Sequence, residues 1–180
     1  MNTEKTPQEI LKFWFSEEIT KLWFAKDQGL DEEIWEEFFE TYKVKEEIDW
    51  EETPENALAK VILFDQFPRN MFRDTPKAFE TDELARKIAR EALEKGWDQE
   101  LSENRRTFLY MPFMHSENEE DQAYCVELFT KHGKEAGLEY ALMHQKIIDR
   151  FGRFPHRNKI LGRPSTEEEK EFLTQPGSSF

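Results

Sequence analysis

Arginines and histidines gathered at one place can hold a carboxylate or phosphate and move a proton beside it. A guanidinium fork donates two parallel hydrogen bonds, and an imidazole titrates near neutral pH. The stretch Arg150-Phe151-Gly152-Arg153-Phe154-Pro155-His156-Arg157-Asn158 has that content. From Arg150 to Arg163 there are five Lys or Arg residues and no Asp or Glu, in a chain whose formal net charge is -14. A shorter version stands upstream in Phe64-Asp65-Gln66-Phe67-Pro68-Arg69-Asn70, so Phe-Pro-(His)-Arg-Asn occurs twice, each time after an apolar helical run. The two are read as walls of one anion-holding pocket. Arg69, Arg150, Arg153 and Arg157 would bind the ligand together with Asn70 and Asn158, Asp65 and Gln66 would orient the clamp, and Glu117 would support it. His115 and His156 are the candidates for catalytic proton transfer.

Each of these groups has a plainer reading. Acids such as Asp65 and Asp149 could consume individual arginines in structural ion pairs. The basic stretch holds no acid of its own, which favours a pocket for the set as a whole. His115-Ser116-Glu117 with His156 could supply metal ligands, but Ser116 reads better as a helix N-cap and Glu117 as a first-turn acid. No metal and no cofactor is expected: the chain lacks a His-x-x-x-His, a Cys pair, a glycine-rich phosphate loop and a Gly-x-Ser-x-Gly elbow. Cys125 beside Leu128 and Phe129 reads as an inert core thiol, and His144 as a core histidine.

The elements that must position these groups are helices. Thr6-Pro7-Gln8-Glu9 carries a hydroxyl cap, proline at the first position and an acid at the third. Asp31 is a candidate cap for a helix through Tyr42, with Ile34, Trp35, Phe38, Phe39 and Tyr42 inward. Thr53-Pro54 opens another, running up to Pro68, and places Asp65 on its buried stripe, where an unpaired charge is costly and an arginine is the natural partner. Asp82 to Lys95 is closed by Gly96. Arg105 to Met111 is stopped by Pro112. Ser116 with Glu119 starts a helix to His132 and leaves His115 just outside its N-terminus. Leu138 to Phe151 is ended by Gly152, and Ser165-Thr166 opens a last helix through Leu173, with the acidic runs read as solvated helix starts. No Val/Ile/Thr-rich alternation argues for strands. The fold class expected is all-α, a single-domain array of eight or nine antiparallel helices spanning residues 1–180.

Composition narrows the partners. With pI about 4.8, a nucleic-acid backbone would be repelled unless it met a segregated basic face, so nucleic acid is disfavoured. The single Cys125 and an N-terminus without a signal peptide predict a cytoplasmic protein, and no apolar run is long enough for a membrane span.

Four segments together resemble a known family: Leu63 to Asn70, Phe108-Leu109-Tyr110-Met111-Pro112-Phe113-Met114-His115-Ser116-Glu117, Arg150 to Asn158, and the terminal Pro-Gly-Ser-Ser-Phe. With Phe13-Trp14-Phe15 and Trp23-Phe24, they are similar to the bacterial domain-of-unknown-function 924 family over nearly the whole chain. Phe113 stands where that pattern has Leu, a change confined to packing. The resemblance implies a helical fold of the tetratricopeptide-like superfamily and carries no activity. From the residues, the leading expectation is an Arg/His-lined pocket that binds, and could turn over, a small anionic metabolite. The alternative is a helical-repeat module gripping an acidic peptide or C-terminal carboxylate. RNA binding ranks last, and oligomeric state is not legible.

Overall fold

The computed structural model describes residues 4–45 and 47–179, and these are helical or irregular throughout, without strands. The α-helices are α1 (Pro7–Trp14), α2 (Glu17–Thr20), α3 (Gln28–Lys43), α4 (Pro54–Val61), α5 (Phe67–Met71), α6 (Asp82–Glu94), α7 (Glu103–Met114), α8 (Glu119–His132), α9 (Glu135–Phe151) and α10 (Glu167–Phe172). A π-helical turn, Ile62–Gln66, joins α4 to α5, and short 3-10 turns lie at Pro76–Phe79, Trp97–Glu100 and Pro155–Arg157. Packing divides the chain into two units. The first comprises the chain up to Arg73 and Lys77–Pro112; the second comprises Asp74–Pro76 and the chain from Phe113 onward.

In the first unit α4 packs on α1 and α6, and α3 on α5. Its core is aromatic. The Trp14 ring meets Phe67 and Phe108 at 5.6 Å in edge-on geometry, and Phe38 lies 4.6 Å from Phe67. Burying such rings stabilises by about 2–3 kcal/mol each before entropy is counted. The second unit is built on the α8–α9 hairpin, whose helices are joined by only Gly133 and Lys134 and therefore fold back on each other. Ile147, Ile148 and Phe154 form its core, and Phe172 of α10 packs on Phe151.

Local signals set several boundaries as expected. Thr6 and Glu9 form a capping box, and Gly96 and Gly152 take left-handed backbone at φ 72° and 65°. Other expectations are corrected. The cap of α3 is Asp27, whose carboxylate accepts from Leu30 N–H, so Asp31 lies inside the helix. Trp35, expected inward, is 42% exposed. Pro112 does not stop α7, which runs on to Met114. Asn118 rather than Ser116 caps α8, accepting from Glu120 and Asp121 N–H; the Ser116 hydroxyl instead donates to Asp121 at 2.7 Å.

Pro68 does not end its helix either. Without an N–H it cannot bond the Phe64 carbonyl, and its ring would crowd that oxygen. The helix widens to a π turn in which Phe67 N–H reaches back to Ile62, and Thr81 Oγ1 donates to the Phe64 carbonyl at 2.6 Å. All five residues of the widened turn, Asp65 and Gln66 among them, are buried.

Candidate functional site

The predicted site residues fall into two groups, one in each unit. In the first unit Asp65 is fully buried and accepts from Gln66 Nε2 at 2.6 Å, with Arg69 at 3.3 Å from its Oδ1. Arg69 also donates to the Asp65 carbonyl and, in a two-pronged pair, to Asp82 at 2.8 and 3.0 Å. Burial works against the Arg69 charge, but Asp65 and Asp82 outweigh it, and the guanidinium is held more firmly protonated than usual. Asn70 donates to the Gln66 carbonyl at 3.1 Å and accepts from Arg73, whose own fork closes on Asp31 at 2.6 Å twice. Widening the helix aims Asp65 inward, and a fork from one turn on and a carboxylate from α6 close around it. Chemically the group is a staple between helices.

In the second unit Gly152 ends α9 and the chain crosses Phe154 into the Pro155–Arg157 turn. Arg153 closes a fork on Glu169 at 2.7 and 2.8 Å. The same carboxylate accepts from Asn158 Nδ2 at 3.2 Å and from Thr166 N–H at 2.8 Å while completing the capping box of α10. The Arg153 bond and these donors pull the Glu169 carboxyl down to about 2. Arg150 pairs with Glu168 at the surface.

Glu117 is the second anchor. It takes two bonds from Arg163 at 2.7 and 2.9 Å and one from Phe154 N–H at 2.7 Å. Burial pushes its pKa up, but the Arg163 fork and the amide pull harder, so it stays ionised. Arg163 also donates to Asn158 Oδ1 at 3.0 Å, which links the two anchors. Arg163 did not enter the predicted site, although it closes the basic run; the signal was there.

The third feature of this unit is a ring of polar groups on the buried Phe154 side chain. The Arg157 guanidinium lies 4.6 Å above the ring, and the His144 and His156 imidazoles are centred 5.6 and 5.7 Å from it. Arg157 is only 7% exposed. His144 Nδ1 lies 2.8 Å from the Tyr140 carbonyl, a contact that requires a proton on Nδ1 and leaves Nε2 as the acceptor. Burial, with the nearby Arg157 charge, drives His144 to about 3 and His156 to about 4. His115 adds to both shifts and so lies within electrostatic reach. At neutral pH the imidazoles of His144 and His156 are uncharged beside a buried cation. Among the described residues no group of three His, Cys, Asp or Glu side chains is placed to hold a metal ion. Burial pushes the Cys125 thiol up, which keeps it protonated. No helix among the described residues is long and apolar enough to cross a membrane.

An all-helical protein with aromatic cores and a polar cluster around one phenylalanine is the class these features define. Residues 10–177 match the family described as "Bacterial protein of unknown function (DUF924)", and the chain belongs to that family. It is similar to the solved structure of the protein of unknown function ATU0120 from Agrobacterium tumefaciens, with 40% sequence identity and a TM-score of 0.87. That similarity covers 93% of this chain and 96% of the other. No curated protein matches the chain.

Proposed function

We propose that the second unit binds a small anionic metabolite, carrying a carboxylate or phosphate, at the cluster around Phe154. Arg157 is the anchor, and His156 and His115 exchange protons with the bound group. The observation that carries this reading is the buried Arg157 guanidinium set on the Phe154 ring, which two neutral imidazoles also meet, with the Glu117 carboxylate in electrostatic reach. A buried positive charge at low dielectric strongly favours an incoming anion. The anion would in turn raise the pKa of His156, so that ligand and proton bind together and affinity grows as the pH falls. Arg69, Arg150 and Arg153 then serve as fixed supports, each forked or paired to an acid of its own unit, while the Glu117 carboxylate within electrostatic reach of Arg157 helps to hold that guanidinium charged. The α8–α9 hairpin, helices of 14 and 17 residues, is close to the roughly 34-residue tetratricopeptide unit and supports a tetratricopeptide-like reading of the fold.

The test is a thermal-shift and calorimetry screen with phosphate, sulfate, dicarboxylates, nucleotides and an acidic peptide. A ligand at a hundred times its Kd stabilises by about 2.7 kcal/mol. One anion class should raise Tm, and that shift should vanish in Arg157→Ala and weaken in His156→Gln while surviving in Arg150→Ala. Failure of every small anion to bind, or a shift untouched by both variants, removes the site; a response to the acidic peptide alone transfers the cluster to peptide recognition.

A further inference from the structure

Helix α3 in the first unit carries a second surface, opposite in charge to the cluster around Phe154. Ile34, Phe38 and Tyr42 face the core, whereas Trp35 is 42% exposed. Trp35 stacks nearly flat on Phe39, with centroids 4.2 Å apart and planes at 10°, and meets the Phe72 ring edge-on at 5.6 Å. Together with Glu36, Glu37 and Glu40 of the same helix, Trp35 and Phe39 line a shallow, open hollow of about 360 Å³. Trp35 is braced by two further aromatic rings yet keeps 42% of its surface in water, which with Phe39 leaves a small aromatic patch open to a partner.

The surrounding side chains show what this surface accepts. Lys43 Nζ stands 5.2 Å from the Phe39 ring centre and pairs with Glu40 at 2.7 Å, and Lys5 Nζ pairs with Glu37 at 2.5 Å. Lys77 Nζ stands 5.7 Å from the Phe72 ring. Twice, then, an ammonium group from the chain itself lies on a member of this aromatic cluster, once with a carboxylate beside it. Tryptophan is the strongest of the cation-binding rings, and it lines the hollow beside three glutamates. We infer that this face of α3 docks a basic segment of a partner protein, with a Lys or Arg side chain entering the hollow between Trp35, Phe39 and the carboxylates. Charge complementarity selects that occupant. Residues 32–40 include Glu32, Glu33, Glu36, Glu37 and Glu40. A second copy meeting this face through the same face would set those acids against one another, and an acidic partner would be repelled.

The experiment is fluorescence anisotropy with a labelled Lys/Arg-rich peptide, and with an acidic peptide of equal length, on the full chain at low and high salt. The basic peptide should bind and the acidic one should not. Trp35→Ala should weaken binding about threefold to thirtyfold, the range expected from losing a cation–π contact. Glu36→Gln with Glu40→Gln should weaken it as well and flatten the salt dependence; Glu37 is left in place because it pairs with Lys5. Because Trp35 also packs on Phe39 and Phe72, the glutamate pair is the second, independent variant, and the fold of both is checked by circular dichroism. Undiminished affinity in both variants overturns the inference, as does absence of binding by the basic peptide. A concentration-dependent dimer that Trp35→Ala abolishes also overturns it, by assigning the face to self-association.

Discussion

The two Phe-Pro-(His)-Arg-Asn segments share letters and build different objects. In the first, Pro68 is carried inside a helix by a π turn, and Arg69 is locked between Asp65 and Asp82. In the second, Gly152 ends the helix, Pro155 starts a separate 3-10 turn, and one inserted residue, His156, separates proline from arginine. Arg153 takes the structural partner there, and Arg157 is carried onto the Phe154 ring with His156. The lesson concerns chain geometry more than composition: a terminated helix with one added residue presents an arginine to a polar cluster, where a continuous helix spends it on a staple.

The sharpest way to break that comparison is to remove each arginine fork in turn. Arg69→Met leaves Asp65 fully buried beside Asp82 without its cation, and should cost about 3–5 kcal/mol. Arg153→Met strips Glu169 of two bonds but leaves Asn158 and Thr166 N–H on that carboxylate, and should cost clearly less than Arg69→Met. All five tryptophans, Trp14, Trp23, Trp35, Trp50 and Trp97, belong to the first unit. In urea unfolding, tryptophan fluorescence therefore reports the first unit alone, while far-UV circular dichroism reports the helices of both. Arg69→Met should move the fluorescence midpoint the further of the two; equal shifts would dissolve the distinction between staple and anchor.

What the sequence made legible was local. Caps such as Thr6 with Glu9, and left-handed stops such as Gly96 and Gly152, act within a turn of where they stand. The basic character of the stretch from Arg150 to Arg163 was also visible, and so was the need of Asp65 for an arginine. The partners were not visible, because Arg153 finds Glu169 sixteen residues away and Arg163 finds Glu117 at a separation of 46. Glu169 looked like one more solvated acid in the run from Glu167 to Glu171, yet it is 2% exposed. Pro68 was misread as a stop for the same reason. The hydroxyl that takes over the Phe64 carbonyl belongs to Thr81, beyond the reach of any local pattern. Trp35 was placed inward because spacing of three and four fits a broad helical face, and spacing alone does not say where that face meets solvent.

Acid titration separates the two regions by a smaller margin. His144 and His156 have folded pKa values near 3 and 4, below the 6.5 of an ordinary imidazole, so the unfolded chain takes up protons first. Their contribution is intact above pH 6.5 and is lost as the pH falls from there towards the folded values. Between pH 6.5 and about 5 the pair should cost the second unit about 2–3 kcal/mol. Glu169 and Glu117 have lowered pKa values, and their losses begin only nearer the ordinary carboxylate range. Urea melts by circular dichroism over that interval should show the slope, and His156→Gln should roughly halve it; an unchanged slope would mean that His156 is not held neutral beside Arg157.

Gly152 tests the turn itself. Its φ of 65° is left-handed, and nothing lies within 4 Å of where a Cβ would sit, so the strain of Gly152→Ala is purely conformational. A cost of about 1 kcal/mol is expected. If Gly152 only ends a helix, the variant should lose that stability and keep its anion response. If the left-handed turn is what delivers Arg157 to Phe154, relaxing it would shift the guanidinium, and the thermal shift produced by the best anion should fall by more than the stability loss explains. Gly152→Asn, which tolerates left-handed backbone better than alanine, should restore most of both quantities. A rescue of stability without a rescue of binding would place the origin of the site elsewhere than in the turn.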